Sequence, residues 1–387
     1  MSVWSTFAQE LDELAAAGQR RQRRIVSPPL GTHPQLYGRS VLAFCSNDYL
    51  GLAQHPEIAA AARVATFSHG VGAGAAHLIS GHTDYHEALE DALASFVELP
   101  AALTFSTGYM ANLGVVTALV GRGDAVFADK LNHASLNDAM VLSRAELKRY
   151  PHNDLAALEK ALATTVAKRR LIITDSVFSM DGDIARVPEL LDLAERFDAL
   201  LLVDDAHGFG VLGPQGQGVL AHFGLESERL ILMGTLGKAA GVGGAFVAGD
   251  EVLIDWLVNR ARTYIYTTAT PPLMAAALLT SLQLIAEGND LRTHLQALIT
   301  YLHQKTHDLP WQWMPSPTPI QPLLVGESPA AVALSQALLE RDIWVPAIRP
   351  PTVPAGSARL RISLSAAHTF EDIDHLAAAL HDIAAQA

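Results

Sequence analysis

Between residues 100 and 250 the chain repeats one pattern: a short apolar run, a polar turn, then a stretch with helical spacing. Residues 103–105, 125–128, 171–174, 200–203, 230–233 and 245–248 read as strands, and 110–119, 154–166 and 187–197 as helices. A strand that is apolar along its whole length is buried on both faces, and a connection long enough to hold a helix lets its strands run parallel. The pattern therefore predicts an α/β fold, a mostly parallel central sheet sandwiched by helices. Ahead of it, residues 4–24 read as an amphipathic helix with Phe7, Leu11 and Leu14 on one face and a basic end at Arg20, Arg21, Arg23 and Arg24; Pro28-Pro29 closes it. Past residue 285 the pattern restarts, with helices at 291–302, 330–341 and from 370, and strands at 320–325, 344–347 and 359–364. This divides the chain into an N-terminal helical arm (1–45), a large domain (46–285) and a smaller α+β C-terminal domain (286–387).

The net charge of −13 argues against general nucleic-acid binding, which needs a basic surface, but leaves room for a small anion held by local arginines. The uncharged run 99–121 contains Pro100, Asn112 and several small polar residues, so it reads as strand, loop and helix rather than a membrane span. One cysteine, Cys45, excludes a disulfide within the chain, and the N-terminus shows no signal-peptide core, so a reducing cytoplasmic compartment is expected.

Ligands in open α/β sheets sit beyond the carboxyl ends of the strands. Two blocks with ionisable side chains fall there: Asp204-Asp205-Ala206-His207-Gly208 and Thr235-Leu236-Gly237-Lys238-Ala239. Lys130, Lys148, Lys160, Lys168 and Lys305 have polar neighbours, whereas Lys238 sits among small residues after an apolar strand. A lysine in a tight apolar site loses basicity and can form a Schiff base; the alternative is a lysine that caps a helix or pairs with a carboxylate. Asp204 ends an apolar run and needs a cationic or strongly donating partner, which a protonated pyridine nitrogen supplies; Asp205 fits better as a cap on the following loop. Ser106-Thr107-Gly108-Tyr109 opens a helix, and helix N-termini bind phosphate. Ser179 and Thr235 are hydroxyl donors at neighbouring strand ends. His133 reads equally well as a ring-stacking imidazole or a helix cap. An amine, an acid and a phosphate cradle together suit pyridoxal 5'-phosphate.

With Ser46-Asn47-Asp48-Tyr49-Leu50-Gly51-Leu52, Asn132-His133-Ala134-Ser135 and Ser176-Val177-Phe178-Ser179-Met180-Asp181-Gly182-Asp183, these blocks resemble the α-oxoamine synthases, fold-type I pyridoxal-phosphate enzymes, in family order over nearly the whole chain. The resemblance implies an aminotransferase-like fold and C-acyl transfer with decarboxylation. It implies that Lys238 carries the cofactor and moves protons, that His133 stacks on the ring and contacts substrate, and that Asp204 and His207 meet the ring nitrogen and ring oxygen. Gly108, Tyr109, Ser179 and Thr235 would line the cofactor. Arg349 would hold the amino-acid carboxylate with Asn47 nearby, and Arg21 and Thr352 would contact the acyl substrate. A homodimer is implied, with Thr267 and Thr268 reaching the neighbouring subunit's phosphate.

Arg349-Pro350-Pro351-Thr352-Val353-Pro354 resembles the biotin-pathway branch of the family, which implies L-alanine and a pimeloyl thioester of coenzyme A or an acyl-carrier protein as substrates. Siblings making 2-amino-3-ketobutyrate, aminolevulinate or a sphingoid base are the alternative. One stretch departs from the family: Gly72-Ala73-Gly74-Ala75-Ala76-His77 lacks the usual serines, so no side-chain role is expected at Ala73 or Ala76. Gly70-Val71-Gly72-Ala73-Gly74-Ala75 matches the dinucleotide glycine pattern of a nicotinamide dehydrogenase, but a helix precedes it where a strand is required. No metal site is expected, since His82 and His86 lack an evident third ligand. A non-catalytic binding protein would leave Lys238, Asp204 and His207 jointly unexplained.

Overall fold

The computed structural model describes residues 3–16, 20–21 and 23–386. Its centre is a seven-stranded sheet formed by β1 (Ala101–Phe105), β2 (Ala125–Asp129), β3 (Glu146–Tyr150), β4 (Arg170–Asp175), β5 (Ala199–Asp204), β6 (Leu230–Thr235) and β7 (Ala245–Gly249), in the order β1-β7-β6-β5-β4-β2-β3. The strands from β6 across to β3 are parallel, and β7 runs antiparallel to both β6 and β1. Side chains alternate across the pleat. On β5, Leu201 and Val203 enter the core beneath one face while Leu202 enters the core on the other. Both faces are thus apolar and both are covered, which explains the continuous apolar runs. The mostly parallel, helix-sandwiched sheet expected from the sequence is the one observed.

Strand β3 was not legible in advance. It is an edge strand with three exposed positions and carries Lys148 and Arg149, so it has no apolar run to announce it. The C-terminal part builds a second, antiparallel sheet from β8 (Gln312–Trp313), β9 (Ile320–Gly326), β10 (Ala347–Ile348) and β11 (Ala358–Ser363), in the order β8-β9-β11-β10. Helices Ser328–Glu340 and Phe370–Ala384 belong to this part.

Two expectations are corrected. Among the described residues the predicted helix at 4–24 is a helix over Ser5–Ala16, and Arg20, Arg21, Arg23 and Arg24 are not helical, so they are not its basic end. Clustered arginines three or four residues apart repel one another on a helix surface. The predicted strand at 344–347 is two short strands: Ile343–Trp344 pairs with Leu42–Ala43, and β10 pairs with β11. Pro346 lies between them and offers no N–H to continue a ladder. The pairing at Leu42–Ala43 also ties the start of the chain to its C-terminal part. From there the chain crosses to the large sheet, with Ala366 donating to the Tyr49 carbonyl (2.8 Å).

Candidate active site

Strands β4, β5 and β6 end together. Asp175 pairs with Asp204 across β4 and β5, and Asp204 with Met233 across β5 and β6. Just beyond these ends lies a cavity of about 200 Å³ lined by Gly108, Tyr109, His133, Ser179, Asp204, His207, Thr235 and Lys238 together with Asn112, Ser135, Asp175 and others. Eight of the expected site residues therefore converge on one cavity, although they come from widely separated parts of the chain.

The turn after β6 delivers Lys238. Gly241 donates its N–H to the Lys238 carbonyl (2.9 Å) and adopts φ +70°, and a Cβ there would lie 2.5 Å from the Ala53 nitrogen. Only glycine permits both the left-handed turn and that approach. The Lys238 amine lies 2.8 Å from His207 Nε2. Burial pushes the lysine pKa down to about 8, against the opposing pull of Asp204 and Asp175. Burial, then the neighbouring Lys238 charge, holds the His207 pKa well below its usual value, so the ring is neutral.

Asp204 is buried and accepts from Asn112 Nδ2 (2.7 Å) and the Ala206 N–H (3.1 Å). Burial and the adjacent Asp204 raise the Asp175 pKa well above the usual carboxylate range. Asp205 behaves as the expected loop cap: it accepts from Ser176 Oγ (2.5 Å) and the Val219 N–H (2.9 Å), and burial pushes its pKa up to about 7.

Helix Gly108–Leu119 begins at the cavity wall. Its N-cap Thr107 takes the Met110 N–H, which leaves the Gly108 and Tyr109 N–H groups at the helix start for an anion. The Tyr109 hydroxyl donates to Asp138. His133 is a helix cap that also faces the cavity. It caps helix Ala134–Ser143 through Nδ1, which accepts from the Ser135 N–H (3.3 Å), and it lines the cavity.

The remaining expected residues lie elsewhere. Asn47 is two hydrogen bonds away from the cavity wall: the Tyr49 hydroxyl contacts both Asn47 Oδ1 (3.2 Å) and His207 Nδ1 (2.6 Å). Arg349 lines a separate depression with Arg24 and Trp344, and the exposed Thr352 donates its N–H to the Arg349 carbonyl (3.0 Å). Arg21 and Thr268 are exposed and Thr267 is half-buried. His86 is engaged with Thr83 and the Thr270 carbonyl; His82 instead meets Glu87 and Glu90, one ligand atom of each within 4.8 Å.

Sequence reading missed four contributors. Asp175 ends an apolar run just as Asp204 does, and that signal was available. Asn112, Tyr49 and Arg361 were not marked by position. Arg361 lies buried on β11 and reaches Ser179, Ser363 and Asn47 with its donors; the alternation of Arg359 and Arg361 with apolar residues in that strand was its only trace.

Pyridoxal phosphate fits these residues. The buried Asn112 Oδ1 and Asp175 Oδ1 atoms have no hydrogen-bond partner, and buried polar atoms require one. Two carboxylates side by side favour a cationic ring nitrogen, the helix start favours a phosphate, and a lysine of lowered basicity favours an aldehyde.

The family model for Aminotransferase class I and II matches residues 39–380. A protein of Nitrosospira multiformis named 8-amino-7-oxononanoate synthase is 62% identical over 385 residues, covering 99% of this chain and 97% of its own. The Sphingomonas wittichii serine palmitoyltransferase structure superposes with a TM-score of 0.93 at 32% identity, covering 99% of this chain and 98% of that one. A further serine palmitoyltransferase structure, solved with pyridoxal phosphate, gives a TM-score of 0.92 at 29% identity over 98% of this chain and 96% of its own.

The chain belongs to the aminotransferase class I and II family and, within it, to the pyridoxal-phosphate-dependent α-oxoamine synthases. Among these it groups with the 8-amino-7-oxononanoate synthases: relatives of that name match it at 57–62% identity over nearly the whole chain.

Proposed function

We propose that this enzyme condenses L-alanine with a pimeloyl thioester, releasing carbon dioxide, to make 8-amino-7-oxononanoate for biotin biosynthesis. The observation that carries the reading is the cavity at the ends of β4, β5 and β6, with Lys238, Asp204 and His207 in its wall, in a chain of this sequence group. Pyridoxal phosphate, when bound, supplies an aldehyde for the lysine and a ring that accepts electrons from the substrate α-carbon.

Lys238 would hold the cofactor and move the proton at the substrate α-carbon; a pKa of about 8 keeps part of it neutral near pH 7. Asp204 would hold the ring nitrogen protonated, His207 would meet the ring oxygen, and His133 would stack on the ring and position substrate. The Gly108 and Tyr109 N–H groups, Ser179 and Thr235 would take the phosphate. Arg349 would bind the alanine carboxylate, where a guanidinium fork matches a carboxylate, with Asn47 nearby. Arg21 and Thr352 would meet the acyl substrate, delivered by coenzyme A or by an acyl-carrier protein.

A homodimer is part of this reading. Val64, Phe67, Val71, Leu78 and Ile79, on both sides of and within the 70–76 loop in sequence, are all exposed, and exposed large apolar side chains in such number favour an interface. Ala269 donates to the Ala75 carbonyl (2.9 Å), which ties the Thr267-Thr268 segment to that loop and supports its reach toward the neighbouring subunit's phosphate. We also place the enzyme in the cytoplasm, in line with its single cysteine; among the described residues no helix is long and apolar enough to cross a membrane.

The test is product formation by purified enzyme supplied with pyridoxal phosphate, pimeloyl thioester and either L-alanine, glycine or L-serine. Equimolar carbon dioxide and 8-amino-7-oxononanoate from alanine support the proposal. Preferential use of serine or glycine assigns the enzyme to a sibling reaction.

A further inference from the structure

We infer that Tyr49 is a positioning residue that fixes the tautomer of His207, so that the imidazole turns an unprotonated Nε2 toward the Lys238 amine. Arg361 is the fixed point, because a guanidinium carries donors and no acceptor. Its Nη2 lies 3.1 Å from Asn47 Oδ1 and 3.5 Å from the Tyr49 hydroxyl. Asn47 must therefore present its carbonyl oxygen at that point and not its amide nitrogen. The Tyr49 hydroxyl lies 3.2 Å from the same oxygen, and two acceptors do not bond, so the hydroxyl proton goes to Asn47.

Tyr49 then has only lone pairs to offer His207, whose Nδ1 is 2.6 Å away. His207 must supply the proton of that bond. A neutral imidazole has one N–H, so with Nδ1 protonated Nε2 is bare, 2.8 Å from the lysine nitrogen. Donation runs from Lys238 to His207 to Tyr49 to Asn47, where Arg361 meets it from the other side.

The opposite order fails at two contacts. With the tyrosine proton on His207, the hydroxyl oxygen and the Asn47 oxygen would face each other at 3.2 Å without a proton between them. His207 would then point an N–H at Lys238 over 2.8 Å, donor against donor whenever the lysine is charged. Tyr49 is fully buried, so water cannot supply the missing partners.

The test is nitrogen NMR of the histidine rings in the full-length chain, before and after loading with pyridoxal phosphate. The His207 signals are assigned by their loss in His207→Gln. The expected result is a proton on Nδ1 of His207 in both forms and a bare Nε2 before loading. Tyr49→Phe removes the acceptor and should lower the preference for Nδ1–H about tenfold, the loss of one buried hydrogen bond. Asn47→Asp keeps an acceptor for the tyrosine proton and should retain the wild-type tautomer. Asn47→Leu frees that proton for His207 and should shift the tautomer as Tyr49→Phe does; this pair decides the matter if Tyr49→Phe does not fold.

A merely structural Tyr49 would change stability and leave the tautomer alone. A wild-type proton on Nε2 before loading, or an unchanged preference in both Tyr49→Phe and Asn47→Leu, overturns the inference. The tautomer is read without amino acid or thioester, so its failure would leave the proposed reaction standing.

Discussion

The Lys238 amine and His207 Nε2 sit 2.8 Å apart at the carboxyl ends of the parallel strands. Burial there pushes the lysine pKa down to about 8. The amine is a nucleophile only when neutral, so the rate of pyridoxal-phosphate capture by the cofactor-free protein should rise with pH up to about 8 and level off above it. Stopped-flow absorbance measures this. A rate still climbing steeply well past pH 9 would indicate an unperturbed lysine.

Asp204 should govern how tightly the cofactor is held. Asp204→Ala removes the negative partner proposed for the ring nitrogen and deprives Asn112 Nδ2 of its 2.7 Å acceptor. Loss of a charged hydrogen bond corresponds to about tenfold to a hundredfold weaker binding. Equilibrium titration with pyridoxal phosphate should show that weakening, and an unchanged affinity would remove Asp204 from the cofactor's contacts.

Away from the cavity, His152 is bracketed by Asp129 (3.1 Å) and Asp183 (2.9 Å). Burial works to lower its pKa, but the hydrogen bonds and charges of the two carboxylates outweigh burial and push it up to about 10. The folded value lies above the unfolded value of about 6.5, so this stabilisation is fully present below about pH 6.5 and is lost as pH rises through about 10. Urea unfolding across that window should show the wild type weakening with pH and His152→Gln changing much less. Parallel pH dependences in the two proteins would contradict the assignment.

His368 works in the opposite sense. It stacks on Phe44 with ring centroids 4.4 Å apart, and burial holds its pKa down to about 4. Its depressed value contributes stability that is present above about pH 6.5 and lost as pH falls through about 4, by up to about 1.4 kcal/mol per pH unit. Acid unfolding of His368→Gln should have a shallower pH dependence than that of the wild type, and an identical one would exclude this account.

The exposed apolar residues make a prediction about assembly. Phe67 and Ile79 are 92% and 80% exposed on the single chain. Paired substitutions Phe67→Asp and Ile79→Asp should shift the proposed dimer to monomer in analytical ultracentrifugation and weaken cofactor binding at the same time, because Thr267 and Thr268 are proposed to serve the neighbouring phosphate. Monomers that bind the cofactor as tightly as wild type would separate the two properties.

The central sheet was legible because its strands are apolar on both faces, as Leu201 and Leu202 illustrate by entering opposite cores. The cavity was legible because Asp204 and Lys238 are ionisable residues at strand ends. Strand β3 stayed hidden because an edge strand carries its charges outward. Arg361 and Tyr49 stayed hidden for another reason: their partners Asn47 and His207 lie far away in the chain, and hydrogen bonds over such separations leave no local pattern.

The central claim is the identity of the amino acid, and spectroscopic titration of the pyridoxal-phosphate-loaded enzyme tests it most directly. The visible band should be absent in Lys238→Ala and should respond at lower concentrations of L-alanine than of glycine or L-serine. A band that survives Lys238→Ala, or that responds most tightly to L-serine, would contradict the account.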